Sequence, residues 1–455
     1  MELTKLRFVG NILRSRLYPG LLQHLTLALF VLIVAFSFAG TIKGGENFAT
    51  VVTWGLWWTL VPFSFILLGR IWCGVCPITT VSDYLQRWLG GWGRSPGRFL
   101  KKYGVWMMSL SFLLLTWADK VWGIVDSPRA TGVALITILG GSSVVALIYG
   151  RRVWCRYLCP IGALSGVYSM TSFVELRAKK EVCRKCKSKS CYRGTEKTEG
   201  CPLYEFPMNM ESNRNCNLCG NCLKACPHGS VELRLRPPGR ELWRMERPIL
   251  GESALAVLMV VLVYMQTASM AYFFPSYMRW ALESWSALSY NLVFTLTMVG
   301  AVGVGAVFYL SSSWASSRVG GEDFKANLAS FGYALVPLAL AGHLGHNIFH
   351  LGVEGKAALQ AAISQLHLPL QLFPLELSSG EEFHHATIAI KALQALALAS
   401  GAAWSGLVVW KLSAARSECM KVRLLKALPH LVMVLLVGGL LLHLFLVPMN
   451  LRHVH

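Results

Sequence analysis

The chain has 455 residues, of which 54% are hydrophobic and 15% are charged, and its formal net charge is +20. Apolar stretches of about 20 residues recur along it, which is the length that a helix needs to cross a bilayer. A soluble enzyme is excluded, because such a fold would have to bury every long apolar helix in one very large core. The composition therefore predicts an all-α polytopic membrane protein.

Nine membrane-spanning helices are predicted in chain order. They cover residues 20–42, 50–69, 103–118, 131–150, 252–274, 286–311, 326–350, 385–410 and 428–448. The first apolar stretch is too long for the core of a signal peptide and no small-residue cleavage site follows it, so we expect it to be retained as a span.

The basic residues fall mostly on one side of these spans. The connections on that side are residues 1–19, 70–102, 151–251, 312–325 and 411–427, and they hold 36 of the 43 Lys and Arg residues. Because basic loops stay in the cytoplasm, this asymmetry predicts a cytoplasmic N-terminus and an external C-terminus in a bacterial-type inner membrane. The net charge of +20 then reflects topology, so membrane lipid and not nucleic acid is the expected partner.

Twelve of the 13 cysteines form motifs, and the thirteenth is Cys419. All 13 lie in segments that the charge distribution assigns to the cytoplasm. A reducing compartment disfavours disulfides, so cysteines in motifs there favour metal ligation.

A short polar segment carries the first motif, Cys216-x2-Cys219-x2-Cys222-x3-Cys226-Pro227. This spacing is that of bacterial ferredoxins, in which the fourth cysteine of a run binds the other cluster of a pair. The run therefore requires a partner run nearby.

The partner run lies just upstream, as Cys183-x2-Cys186-x4-Cys191 followed by Cys201-Pro202. We expect two [4Fe-4S] clusters in a small ferredoxin-like insert over residues 174–248. The first cluster would use Cys183, Cys186, Cys191 and Cys226, and the second would use Cys201, Cys216, Cys219 and Cys222. The alternative is a pair of structural zinc sites, which also use Cys-x2-Cys pairs.

A repeated motif precedes the insert, in the membrane hairpins of residues 1–173. "GRIWCGVCPI" at 69–78 and "GRRVWCRYLCPIG" at 150–162 each follow a predicted span. The repeat places Cys73, Cys76, Cys155 and Cys159 at one membrane depth, where they would hold a third cluster, a different metal or a redox-active dithiol. The alternative is that they are buried small residues at helix starts.

These motifs in combination resemble the NapH/NosR/CcoG-type family of membrane polyferredoxins over roughly residues 10 to 245. The resemblance implies electron transfer between the quinone pool or a cytoplasmic donor and a periplasmic reductase or cytochrome. Some members of that family assist metal-centre assembly. This chain adds about 200 residues, 249–455, with four or five more spans.

The added region carries histidines at helical spacing. His343, His346 and His350 share one face of a helix, and His443 is predicted at a similar depth. One hypothesis is an outer haem b held by His443 and one of the other three, with an inner haem b held by His24 and His430. Gly342 and Gly345 would let a flat ring approach the helix.

Two other hypotheses concern the same histidines. They would line a quinol site, since histidine accepts protons near neutral pH. Lys391, Glu381 and Glu382 would take part in the same proton transfer. They would instead form a docking or metal-delivery surface together with further histidines, namely His367, His384, His385, His453 and His455.

The sequence therefore predicts a membrane electron-transfer protein, with clusters at the cytoplasmic face, that works as a quinol dehydrogenase-type oxidoreductase subunit. The expected partner is a periplasmic cytochrome or reductase, in a complex that could be obligate. The alternative is an assembly factor or metal reductase that uses the membrane-edge cysteines.

Overall fold

A computed structural model describes residues 1–196, 198–285, 288–366 and 380–449, with the backbone alone for residues 380–386. Within these ranges the α-helices are α1 Arg7–Arg14, α2 Gly20–Ala39, α3 Phe48–Thr50, α4 Trp58–Leu68, α5 Pro77–Leu89, α6 Arg98–Trp122, α7 Pro128–Ile148, α8 Val153–Tyr157, α9 Pro160–Tyr168, α10 Lys180–Lys185, α11 Ser190–Arg193, α12 Asn221–Ala225, α13 Glu241–Arg244, α14 Leu250–Ala268, α15 Phe274–Ser284, α16 Tyr290–Gly320, α17 Phe324–Phe331, α18 Val336–Val353, α19 Gly355–Gln365, α20 Gly380–Ala414 and α21 Met420–Leu446. A π-helical segment, Val51–Trp57, joins α3 to α4. Short 3-10 turns are Leu3–Lys5, Gly44–Glu46, Ile71–Gly74, Ser169–Thr171, Pro207–Asn209 and Gly332–Leu335. The strands are β1 Val174–Ala178, β2 Gly194–Thr195, β3 Thr198–Glu199 and β4 Val231–Leu235.

Eight helical segments are long and apolar enough to cross a membrane, which confirms an all-α polytopic membrane protein. They are Gly20–Ala39, Phe48–Leu68, Pro128–Ile148, Leu250–Ala268, Tyr290–Gly320, Phe324–Val353, Thr387–Ala414 and Met420–Leu446. The expected number was nine. The remaining predicted span, 103–118, lies inside α6, whose charged residues near both ends lower its mean hydropathy below that of the other eight.

Several of these helices present apolar side chains outward. In α2, Leu21, Leu25 and Val31 are exposed, although each is strongly apolar. A soluble protein rarely exposes so continuous an apolar surface, so these side chains are placed to contact lipid tails.

Contacts divide the chain into two compact units. Unit one comprises residues 1–34, 63–112 and 133–246, and unit two comprises residues 35–62, 113–132 and 247–455. The twelve motif cysteines all belong to unit one.

In unit one, a two-stranded sheet closes the cysteine-rich segment. β1 pairs antiparallel with β4, and Leu176 lies opposite Leu233. Both leucines are buried in one apolar cluster with Leu13 and Leu218. Because the strands flank the cysteine runs in sequence, their pairing brings the two ends of that segment together and holds the runs as a compact loop region.

A buried ion pair supports the same segment. The Arg236 side chain is fully buried and pairs with Glu241, while its Nε donates to the Ser172 carbonyl at 2.8 Å. Glu241 also accepts from the Asn213 backbone N–H at 2.9 Å and pairs with Arg177. Removing one member of such a network leaves an uncompensated buried charge.

We expect Glu241→Gln to lower the free energy of unfolding of the cysteine-rich segment by about 3 kcal/mol, because Arg236 would remain buried without its carboxylate. Urea-dependent limited proteolysis of the full chain in detergent measures this. Glu46→Gln is the control, since its pair with Lys43 is exposed and such a pair contributes at most about 1 kcal/mol. Equal resistance of Glu241→Gln and Glu46→Gln to proteolysis in urea would contradict the expectation.

In unit two, α18 is the most enclosed helix and packs against α14, α20 and α21. Gly332, in the 3-10 turn before α18, lies so close to α14 that an added Cβ would meet the Cβ of Ser253 at 2.3 Å. The buried face of α18 carries His343, His346 and His350.

Candidate functional site

The two membrane-edge motifs fold in nearly the same way. Cys73 lies in the 3-10 turn Ile71–Gly74, and Cys76 is the N-cap of α5. Cys155 lies in α8, and Cys159 is the N-cap of α9, where its sulfur accepts the Gly162 N–H at 3.3 Å. A proline follows each capping cysteine at the first helical position, where its missing N–H costs nothing. Free N–H groups at a helix start favour a thiolate.

The structure brings these four thiols together. Burial, followed by the Cys73 thiol, raises the pKa of Cys76 from its ordinary value of 9.0 to about 11. Burial, again followed by Cys73, raises the pKa of Cys159 to about 12. The pKa of Cys155 is raised well above the ordinary value by burial and then by Cys159, with Cys76 and Cys73 contributing further. The repeat therefore forms one four-thiol group, here named the edge set.

Two buried arginines flank the edge set. Arg70 is 2% exposed, and its Nε donates to the Cys73 sulfur at 3.3 Å. Its other nitrogens donate to two carbonyls, those of Cys155 at 2.7 Å and Arg214 at 2.9 Å. Arg152 donates to the Cys73 carbonyl at 3.2 Å and pairs with Asp83 at 2.7 Å.

The first predicted ferredoxin set is also assembled. The pKa of Cys191 is raised to about 11 by burial and then by Cys226, Cys183 and Cys186. Ser230 joins the ends of this set, because its hydroxyl lies 3.2 Å from the Cys183 sulfur and its N–H donates to the Cys226 sulfur at 3.4 Å. Burial opposes ionisation of Cys226, yet the hydrogen bonds from Ser230 lower the pKa of that thiol overall.

The second set lines one pocket, because Cys201, Cys216, Cys219 and Cys222 are all among its lining residues. Burial and then the Cys219 thiol raise the pKa of Cys201 to about 11. The turn between Cys219 and Cys222 needs Gly220, whose φ is +77° and whose added Cβ would lie 2.6 Å from the Leu13 carbonyl oxygen. Four thiols and a tight glycine turn suit a cubane, whose irons are held by cysteine thiolates.

The three sets adjoin one another within unit one. The Cys222 thiol lies within electrostatic reach of Cys191, which links the second set to the first. The Asn217 amide, between Cys216 and Cys219 in the chain, donates to the Cys73 carbonyl at 3.5 Å. Arg152 lies within electrostatic reach of both Cys155 and Cys219. The second set therefore adjoins both the first set and the edge set.

The alternative of structural zinc sites stays a prediction. Among the described residues, no three His, Cys, Asp or Glu side chains converge closely enough to hold one metal ion. Zinc draws its thiolates to about 2.3 Å, whereas the four ligands of a [4Fe-4S] cluster bind at separate irons and stand farther apart.

Sequence patterns missed the residues that support the sets. Arg70 and Arg152 stand in the quoted repeats but received no role, and nothing in the spacing pointed to Asn217 or Ser230. The available signal was an arginine three residues before the first cysteine of each repeat, Arg70 before Cys73 and Arg152 before Cys155.

The buried histidines make a hydrogen-bonded chain. His346 and His350 face each other, with their Nε2 atoms 3.3 Å apart. His350 Nδ1 lies 2.7 Å from the Glu354 carboxylate, and His346 Nδ1 lies 3.2 Å from the Thr267 hydroxyl. His343 Nδ1 instead faces the Ala339 carbonyl at 3.0 Å. His443 is exposed and does not join the buried histidines.

His346 and His350 do not fit the outer haem hypothesis. Both ring nitrogens of His346 and of His350 are engaged with neighbours, so none points to an open axial position. The space beside the two glycines is filled, because an added Cβ at Gly342 would meet Val263 at 3.0 Å and one at Gly345 would meet Phe445 at 2.8 Å. No flat ring can approach α18 there.

Of the two residues in the inner haem hypothesis, His24 has both ring nitrogens engaged, whereas no described residue hydrogen-bonds His430 Nδ1, and the hypothesis stays a prediction. His24 Nδ1 faces the Gly20 carbonyl and its Nε2 faces the Tyr84 hydroxyl, each at 2.6 Å. His430 Nε2 lies 3.2 Å from the Asn327 amide oxygen, and its ring stacks on Phe331 at 4.2 Å. Histidines 367, 453 and 455 lie outside the described residues, as do the side chains at 381–386.

Membrane-length helices combined with adjoining four-thiol sets define a helical membrane protein of the iron–sulfur class. Comparison with known proteins agrees. The family described as "4Fe-4S binding domain" matches residues 50–95 and 131–180, the two segments that carry the edge set.

The curated relatives are ferredoxin-type proteins. The chain is similar to the ferredoxin-type protein NapH of Haemophilus influenzae, with 27% identity over 37% of this chain and 63% of that protein. It is also similar to the methylamine utilization ferredoxin-type protein MauN, with 30% identity in Methylorubrum extorquens over 28% of this chain and 48% of that protein. The MauN of Paracoccus denitrificans is 28% identical over 27% of this chain and 48% of its own length.

The chain thus spans between about half and two thirds of the length of these relatives. No solved structure matches the chain. The resemblance to NapH-type membrane polyferredoxins is confirmed over part of the chain.

The raised thiol pKa values predict that the metal-free protein loses folding stability at alkaline pH. The folded chain holds the protons of Cys76 and Cys159 up to a pH of about 11 and about 12, whereas the unfolded chain releases them near 9. This stabilisation is therefore complete below pH 9 and disappears as the pH rises from 9 to about 12.

We expect Cys159→Ala to show a smaller fall in unfolding temperature between pH 8.5 and pH 11 than the unaltered metal-free chain shows, since it lacks one such proton. Cys419→Ala is the control, because Cys419 is exposed and outside the sets. The same change of unfolding temperature with pH in all three proteins would contradict the raised pKa of Cys159.

Proposed function

We propose that this protein transfers electrons at the membrane through three [4Fe-4S] centres in series. The first centre would be held by Cys183, Cys186, Cys191 and Cys226; the second by Cys201, Cys216, Cys219 and Cys222; and the third by Cys73, Cys76, Cys155 and Cys159. The observation that carries the proposal is that the three thiol sets adjoin one another within unit one. Such a cluster, when bound, takes up and passes on one electron.

The case for the third centre rests on charge. Arg70 is buried, and among the described residues its partners are one thiol and two carbonyls. A buried guanidinium without a counter-charge is costly. Thiolates bound to a cluster would supply that negative charge, whereas four protonated thiols would leave Arg70 uncompensated. The match of the 4Fe-4S binding domain to these segments supports the same conclusion.

The second thiol set is the intermediate step of the proposed electron-transfer route. An electron that enters at the first set would reach the edge set through the second, because Cys222 adjoins Cys191 and Asn217 adjoins Cys73. The basic loop charges support an orientation in which the sets face the cytoplasm. We propose that the chain exchanges electrons with the quinone pool or a cytoplasmic donor on one hand and with a periplasmic cytochrome or reductase on the other.

Iron and acid-labile sulfide counts test the number of centres. The anaerobically purified chain is expected to hold about 12 irons, four in each of three cubanes. Cys155→Ala should hold about 8 and lose one set of EPR signals. Cys419→Ala should keep the full count, since that cysteine lies outside the sets.

The outcomes separate the alternatives. A count that is unchanged by Cys155→Ala would remove the third centre and leave a two-cluster protein. Copper bound by the unaltered chain and released by Cys155→Ala would favour the assembly-factor alternative. Absence of acid-labile sulfide would overturn the whole proposal.

A second test uses Arg70→Gln. Removing a positive charge disfavours the more negative, reduced state, so the reduction potential of the third centre should fall while those of the other two stay constant. EPR-monitored redox titration measures all three. Arg87→Gln is the control, because Arg87 forms an exposed pair with Glu199. A potential unmoved by Arg70→Gln would place the third centre elsewhere.

A further inference from the structure

A cavity of about 540 Å³ lies in unit one and is partly open to the surface. Its volume is typical of a site for a small ligand, but such sites are usually lined by apolar and aromatic side chains. Among the described residues that line this cavity, the only apolar side chain is that of Pro202. The lining therefore suits a polar ligand and not a quinone. Its charged members are Asp83, Arg87, Arg151, Arg152, Arg193 and Glu199.

Four arginines and two carboxylates line the cavity, so their charges do not balance. Asp83 pairs with Arg152 at 2.7 Å. Glu199 pairs with Arg87 at 2.9 Å. Within the part of the chain that the structure describes, the lining therefore has an excess of two positive charges. They are those of Arg151 and Arg193.

Arg151 is held in a fixed position at the cavity. Its Nη1 donates to the Cys201 carbonyl at 3.1 Å, and its Nη2 donates to the Tyr192 carbonyl at 2.8 Å. Its guanidinium also lies over the rings of Tyr192 and Tyr204, 4.8 Å and 5.0 Å from their centroids. A guanidinium has five N–H donors, so three remain for a ligand. Because the side chain is already ordered, it loses little further freedom when it binds an anion.

Arg193 supplies the second excess charge from a different element. It is the last residue of α11 and is exposed. Its side chain makes no hydrogen bond or ion pair with any residue that the structure describes. Replacing it therefore removes charge from the cavity without removing a contact that holds the fold.

The cavity lies where lipid headgroups are expected. α7 is one of the membrane-length helices, and it ends at Ile148, three residues before Arg151. Trp88 follows Arg87 in the chain, and the backbone N–H of Trp92 donates to the last turn of α7. Both tryptophans are exposed. Because tryptophans concentrate at the membrane–water interface, these neighbours place the arginines at headgroup depth.

We propose that this cavity binds the headgroup of an anionic membrane lipid that carries two phosphate groups. A guanidinium pairs with two phosphate oxygens in its plane, and two phosphodiesters supply the two missing negative charges. Basic pockets beside membrane helices are a general means of recognising such headgroups. The acyl chains lie along α7, where Ile136 and Val144 are exposed.

A soluble diphosphate carries the same chemical group as this headgroup. The end of α7 and the exposed tryptophans favour the lipid, because a soluble ligand gains no affinity from a site at headgroup depth. The apolar side chains of α7 favour it for the same reason.

Native mass spectrometry of the delipidated full chain in detergent tests the site. The probes are cardiolipin, which has two phosphodiesters, and phosphatidylcholine, which has the same acyl chains and no net charge. We expect one cardiolipin to be retained per chain and phosphatidylcholine to be lost. Arg151→Gln and Arg193→Gln should each weaken cardiolipin binding about 5-fold, the effect of one basic residue near lipid headgroups, and together about 25-fold.

Arg98→Gln is the matched control, because Arg98 is an exposed arginine of unit one that does not line the cavity. It should bind cardiolipin with unaltered affinity. Equal weakening in Arg98→Gln and Arg193→Gln would overturn the site and leave nonspecific attraction to a basic surface. Unaltered affinity in Arg193→Gln would overturn it as well, since that variant keeps every contact of the fold.

Inorganic diphosphate distinguishes the two sources of the anion. We expect it to leave cardiolipin bound at equal concentration, because it lacks the acyl chains that pack on α7. Displacement of cardiolipin by diphosphate, with diphosphate binding that requires Arg193, would overturn the lipid and leave a site for a soluble phosphate. Electron transfer plays no part in these measurements, so failure of the proposed function would not change their outcome.

Discussion

The structure depends on keeping charge compensated where water is excluded. Arg70 and Arg152 lie buried beside the edge set, and Arg236 lies buried beneath the cysteine-rich segment. The last two have carboxylate partners, Asp83 and Glu241. Arg70 has a thiol in the place of a carboxylate, so thiolates at the edge cysteines would supply its counter-charge. Metal binding by these thiols, as proposed, would then be coupled to the folding of this region.

The cysteine sets were predictable from the sequence because ligands of one cluster must lie close together. A run such as Cys216 to Cys226 is short enough for its spacing alone to limit the geometry, and the crossed pairing with Cys191 and Cys201 follows from the ferredoxin pattern. The four edge cysteines were grouped by their repeat. The pattern could not reveal the residues that support the sets. Arg70 and Asn217 each contact a residue 144 positions away in the sequence, and such long-range contacts produce no local periodicity.

The span predicted at 103–118 and the buried histidines show what sequence patterns leave open. Residues 103–118 are apolar, but the helix that contains them continues into charged residues at both ends. The histidine spacing correctly placed three imidazoles on one buried face of α18. It could not show that Val263 and Phe445 fill the space beside the two glycines, nor that Glu354, one turn beyond His350, completes a hydrogen-bonded chain. Helical period predicts which residues share a face but not what packs against that face.

The two kinds of polar group in this membrane protein follow different physical rules. Cubanes held by thiolates delocalise an added electron over iron and sulfur and need no proton, so their surroundings must be fixed and charge-balanced, as the buried arginines make them. The imidazoles of His346 and His350 are held by hydrogen bonds instead, and either ring can be the donor in their 3.3 Å Nε2–Nε2 contact.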